Sequence, residues 1–112
     1  MDDNLPNADR AEVELRKLTD YLLSTEHPRG KSKAKFFMGF GFSSTRLELF
    51  SQALKKHGAT QPVVEKKMSE FGEKFVLECT CETPDNRNPC IRSVWILEGE
   101  DKVPRFVTAH PR

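Results

Sequence analysis

The chain has 112 residues, 37% of them apolar and 31% charged, with eight phenylalanines, one tryptophan and a formal net charge of +1. That length and apolar content suit one folded domain and exclude a disordered chain, and no apolar run approaches membrane-spanning length. The near-neutral sum excludes a uniformly basic protein but hides an uneven distribution: residues 1–26 carry three cations and seven anions, residues 27–67 nine cations and two anions, and residues 68–112 six cations and eight anions. The central segment alone has the character of a polyanion-binding surface. The expectation is a single domain over 1–112, with 1–6 as a flexible lead. "MDDNLPNADR" lacks a cationic start followed by an apolar stretch, so no secretion signal is expected. Three cysteines, an odd number, read as reduced thiols and point to the cytoplasm.

The first element in chain order is "ADRAEVELRKLTDYLL", an amphipathic helix with Asn7 as N-cap and Ala8, Ala11, Leu15, Leu18 and Leu22 as its apolar stripe. His27-Pro28 and Gly30 then predict a loop over 24–31. A short helical turn, "AKFFMGF", follows. "FSSTRLELFSQALKKHG" reads as a further helix, capped by Ser43 or Ser44, striped by Leu47, Phe50 and Leu54, and ended by Gly58. Beyond Gly58 the period changes to two. "QPVVEKKM", "KFVLECTCE", "CIRSVWILE" and "RFVTAH" predict strands, and the Gly, Asp, Asn and Pro between them predict hairpins. The fold class is therefore α+β: two to three helices packed on one face of a four-stranded antiparallel meander, the other face at least partly open.

Chemistry-bearing residues cluster first in "HPRGKSKAKFF", where Arg29, Lys31, Lys33 and Lys35 stand without a carboxylate. A helix starting near Lys33 would aim its free N–H groups and positive pole at an anion. The spacing is not that of a phosphate-binding P-loop. The plainer reading is a solvated basic loop whose Phe36 and Phe37 plug the core. Histidines number three: His27 in this loop, His57 near a helix C-terminus where a cation complements the dipole, and His110 near the end. Two histidines suffice as base and acid for attack of a ribose 2′-hydroxyl on its own phosphate, a reaction that needs cations but no metal. In the third strand Arg92 lies on the face away from Ile91, Trp95 and Leu97. It pairs across the ladder with Glu78 or Glu82, or it grips a phosphate, with Thr108 of the last strand beside it. Cys79, Cys81 and Cys90 lack the spacing of a structural zinc site and read as buried free thiols, so no metal or other cofactor is expected.

The order of "LPNADRAEVELRKLTDYLL", "HPRGKSKAKFF", "GF", a helix, "IRSVWIL" and "PRFVTAHP" resembles a family of short bacterial proteins known as a domain of unknown function, sometimes loosely as adhesin. The likeness spans nearly the whole chain and falls on Lys17, Tyr21, His27, Pro28, Gly30, Lys33, Ala34, Phe37, Gly41, Phe42, Arg92, Trp95, Pro104 and Thr108. Helices followed by a four-stranded meander also resemble the metal-independent ribonuclease fold of barnase, EndoU, the tRNA-cleaving colicins and RelE-type toxins. That resemblance implies an endoribonuclease toxin with His27, Lys33, Arg92 and Thr108 as catalytic residues and Arg29, Lys31 and Lys35 steering RNA. It also implies a cognate antitoxin protein as partner; the lack of a long apolar run leaves no membrane expected as a partner. The alternative is a non-catalytic module that docks an acidic protein or nucleic acid on the basic 27–67 face. The RNA target and the oligomeric state stay open.

Overall fold

A computed structural model of the chain describes residues 4–18, 31–100 and 102–112. A 3-10 turn at Ala8–Arg10 and helices α1 (Leu15–Lys17), α2 (Lys31–Gly39) and α3 (Leu47–Thr60) precede strands β1 (Val63–Ser69), β2 (Gly72–Thr80), β3 (Cys90–Leu97) and β4 (Pro104–Pro111). The strands form one antiparallel sheet in sequential order. This is the expected α+β architecture, helices first and a meander after.

The long first helix is the main departure. Residues 11–14 run extended instead of helical. The N–H of Glu12 donates to the Pro104 carbonyl and its carbonyl accepts from the N–H of Phe106, both at 2.9 Å. An open strand edge exposes a row of unpaired donors and acceptors, and residue 12 satisfies two of those on β4. Asn7 is not a side-chain cap either. It holds a left-handed backbone, φ 56°, and its Nδ2 donates to the Lys102 carbonyl. Of the expected stripe, Ala11 and Leu18 are buried and Leu15 is exposed.

Helix α2 starts at Lys31 and closes with a left-handed Gly41 (φ 106°), the Phe42 N–H reaching back to Phe37 O and the Gly41 N–H to Met38 O. Such a close satisfies the orphan carbonyls of a helix end. Arg87, from the β2–β3 loop, donates from Nη2 to Gly39 O at 2.7 Å and stacks over the Phe40 ring. On its inner side α2 buries Phe37, whose ring meets Phe50 at 5.0 Å, while Phe50 stacks on Phe42 at 4.5 Å.

Helix α3 buries Phe50, Leu54, His57 and Gly58 against the sheet. Neither expected serine caps it: Ser43 Oγ bonds Thr45 Oγ1, and Arg46 stands at the N-cap without a side-chain bond. Gly58 does not end the helix. It lies inside it, where a Cβ would stand 2.9 Å from Trp95 Cζ2. The glycine is there to let the indole approach the helix backbone.

His57 is also not a dipole-complementing surface cation. It is 1% exposed, with Nδ1 2.7 Å from Ser93 Oγ and Nε2 3.1 Å from the Cys79 carbonyl. A carbonyl only accepts, so Nε2 carries the hydrogen and Nδ1 accepts from the serine hydroxyl. That hydroxyl accepts in turn from Trp95 Nε1 at 2.9 Å. Every polar atom in the chain of bonds is satisfied with a neutral imidazole. Burial holds the His57 pKa below its ordinary 6.5, the backbone bonds opposing it.

The cysteines also differ from expectation. Cys79 and Cys90 form a disulfide between β2 and β3, and only Cys81 is a free, buried thiol. The register sets Thr80 opposite Cys90 and Cys79 opposite Ile91, which brings the two Cα atoms to 4.2 Å. For two of the three cysteines the reduced-thiol argument for a cytoplasmic location falls away. Burial, with Glu82 adding to it, pushes the Cys81 thiol up to about 12. No helix among the described residues is long and apolar enough to cross a membrane.

Two outcomes follow from the core. Gly58→Ala lowers stability in urea unfolding, because overpacking costs about 1–3 kcal/mol and helix propensity returns only about 1. The native state keeps His57 neutral where the unfolded chain would protonate it, so its contribution is complete above pH 6.5 and is lost as pH falls toward the depressed native value. The urea midpoint therefore drops between pH 7 and pH 5, and His57→Asn flattens that slope.

Candidate functional site

The side-chain period of two divides the sheet. Ile91, Ser93, Trp95 and Leu97 of β3 are buried toward the core helices, so Arg92, Val94 and Ile96 take the second face. Register builds rows across that face. Glu78, Arg92 and His110 stand side by side, Val76, Val94 and Thr108 form the next row, and Lys74, Ile96 and Arg105 the third. This face is not bare, since Val76 and Val94 are 5% and 7% exposed.

Arg92 takes one of the two ladder partners expected for it. Its Nε donates to Glu78 Oε2 at 2.6 Å and its Nη2 contacts the same oxygen. Glu78 Oε1 accepts from Arg112 Nε at 2.6 Å. The bond from Arg112, then that from Arg92, holds the Glu78 carboxyl below its ordinary 4.5 against the opposing effect of burial. A fork of this kind orients a guanidinium as well as neutralising part of its charge.

Helix α2 supplies the group from the other side. Lys33, half-buried in the first turn, donates from Nζ to Thr108 Oγ1 at 3.1 Å. Thr108 is opposite Val94 and one row from the Arg92–His110 pair, a diagonal of about 7–8 Å between backbones. Lys33, Thr108 and Arg92 thus share one face and one neighbourhood. Lys35, two residues along the helix, is exposed on another side. His27 and Arg29 lie outside the described residues, as does the side chain of Lys31.

Sequence reasoning missed Glu78 as a shared anchor, Arg112 altogether, and His110 as Arg92's neighbour. The i, i+2 spacing of Thr108 and His110 was the available signal, but only register ties them to Arg92. Among the described residues, Arg92 and Arg112 share the Glu78 carboxylate, His110 stands opposite Arg92, and Lys33 reaches Thr108 one row away, an arrangement able to hold an anion and orient a hydroxyl. A separate cleft of about 570 Å³ runs along the β4 edge, where Lys17, Lys55 and Arg105 are matched by Glu12, Glu14 and Glu98, so it has no bias toward an anion. No group of three or more His, Cys, Asp or Glu among the described residues could hold a metal ion.

Glu78 contributes stability that is complete above its unfolded value near 4.5 and is lost as pH falls through the depressed native one. Glu78→Gln therefore removes part of the acid-induced loss of stability below pH 4.5, followed by circular dichroism, while weakening the fold at neutral pH.

No curated protein is a match for the chain. Among solved structures, a chain of the contact-dependent growth inhibition toxin–immunity protein complex from Klebsiella pneumoniae 342 is similar. It is 21% identical with a TM-score of 0.65, over 95% of this chain and 97% of that one. At that identity the likeness is one of fold. A family model for a domain of unknown function, DUF6883, matches residues 4–112, and the chain belongs to that family.

Proposed function

We propose that this domain is a metal-independent, RNA-cleaving toxin of bacteria, acting by attack of a ribose 2′-hydroxyl on the adjoining phosphate. One observation carries the reading: Lys33 of α2 meets Thr108 of β4 on the sheet face that also bears Arg92. In this reading Lys33 and Arg92 clamp the scissile phosphate, and Thr108 orients it or the attacking hydroxyl. His27, from the basic stretch of sequence before α2, transfers a proton. Arg29, Lys31 and Lys35 steer RNA. The start of α2 supports the same view, since its first turn holds Lys31 and Lys33 and no acidic residue. A cation at a helix N-terminus works against the dipole, and a bound phosphate would reverse that balance.

Likeness of fold to a chain from a toxin–immunity protein complex fits a toxin that travels with a neutralising protein. Such a partner, of antitoxin or immunity type, would cover the cationic face. The domain would act in the cytoplasm, where its RNA lies. The Arg92–Glu78 pair favours a second reading, a non-catalytic module whose cations are structural or dock an acidic partner.

Lysine chemistry separates the two. Lys33→Ala and Arg92→Ala each cut the rate of RNA cleavage about 100-fold or more with the fold retained, as loss of one charge-stabilising group does. Under the enzyme reading Lys33→Arg also loses turnover while keeping RNA affinity; under the module reading it is harmless. Purified alanine variants that degrade RNA as fast as the parent would overturn the assignment. Lys31→Ala and Lys35→Ala each lower the slope of log affinity against log salt by about 0.7, the single-strand value per phosphate contact.

A further inference from the structure

We propose that His110 is the base that accepts the proton of the attacking 2′-hydroxyl. This deepens the RNA-cleaving reading and rests on it.

The placement is geometric. His110 is the direct cross-strand neighbour of Arg92, and it shares a strand face with Thr108, two residues before it. A directly opposed pair in an antiparallel ladder has Cβ atoms about 4.5–5.5 Å apart, so one phosphate held by Arg92 lies within a hydrogen bond's reach of the imidazole. His110 Nδ1 is 3.3 Å from the Pro111 carbonyl, which only accepts. With the hydrogen on Nδ1, Nε2 presents its lone pair. The side chain is partly exposed, as contact with substrate requires. Among the described residues, the charged groups near it are Arg92 on β3, Glu78 behind Arg92 on β2, Lys33 from α2 on Thr108, and Arg112 on Glu78. Three of these four are cations that draw a phosphodiester to the imidazole. His57 cannot share the task, because both of its ring nitrogens are bonded inside the core.

In the step, Nε2 of His110 takes the 2′-hydroxyl proton as the 2′-oxygen bonds to phosphorus. The bond from phosphorus to the 5′-oxygen breaks, and that oxygen leaves with a proton, the transfer that the proposed function gives to His27. The products are a 2′,3′-cyclic phosphate and a 5′-hydroxyl, with no change of oxidation state.

The test uses the full chain and a single-stranded oligoribonucleotide, with single-turnover rates followed across pH. His110→Gln is expected to cleave about 100-fold more slowly or worse, to bind the oligonucleotide as the parent does, and to lose the acid limb of the pH profile. Added imidazole is expected to restore rate to His110→Ala. If His110→Gln keeps the parental rate and pH profile while Lys33→Ala is inactive, His110 is not the base and the anion site stands. A parent that binds RNA without cleaving it overturns both this role and the enzymatic reading.

Discussion

The Ser93 hydroxyl holds the sheet in phase with the helix above it. It accepts from the Trp95 indole and donates to His57 of α3, whose other nitrogen reaches the Cys79 carbonyl of β2. A slip of one residue in β3 would exchange its faces, exposing Trp95 and burying Arg92 without a partner. Breaking that chain of bonds would leave buried donors and acceptors unpaired, which costs more than an ordinary hydrogen bond contributes. The Gly58–Trp95 contact works in the same direction, since only a glycine lets the indole lie so close to the helix. The cationic face exists because the core face is locked in this register.

On that cationic face, Glu78 determines what Arg92 can do. A lone guanidinium among valines would be costly, and the carboxylate stabilises and aims it. Because Arg112 takes the other carboxylate oxygen, two cations share one anion. Lys33 enters from α2, the element whose first turn breaks the usual charge preference of a helix N-terminus. Local rules that a sequence breaks without a packing gain tend to mark function. Here the broken rule and the register-built cluster meet at Thr108, although each arises from a different part of the chain.

Long-range ties keep the flanking pieces in place. Glu12 covers part of the β4 edge, the Cys79–Cys90 disulfide joins β2 to β3 at the mouth of their loop, and Arg87 reaches from that loop to the end of α2. The third tie fixes the far end of the helix that carries Lys33. Positions on α2 are thereby set by the loop between β2 and β3 as well as by its own Phe37 against Phe50.

Alternation of apolar and polar residues after Gly58, with turn residues at each break, was enough to name four strands, their order and the face of Arg92, because a period of two is local information. The same holds for α3, whose stripe of Leu47, Phe50 and Leu54 is a property of neighbouring residues. What stayed illegible depended on partners distant in the chain. Residues 11–14 left the helix that their pattern favoured because β4 offered backbone bonds. Gly58 and His57 looked like helix-end residues until Trp95 and Ser93 were beside them. Cys79 and Cys90 paired because of register, which no spacing reveals. Lys33, Arg92 and Thr108 could be picked out one at a time from their chemistry, but their neighbourhood, and the place of His110 and Glu78 in it, came from three strands and a helix meeting in space.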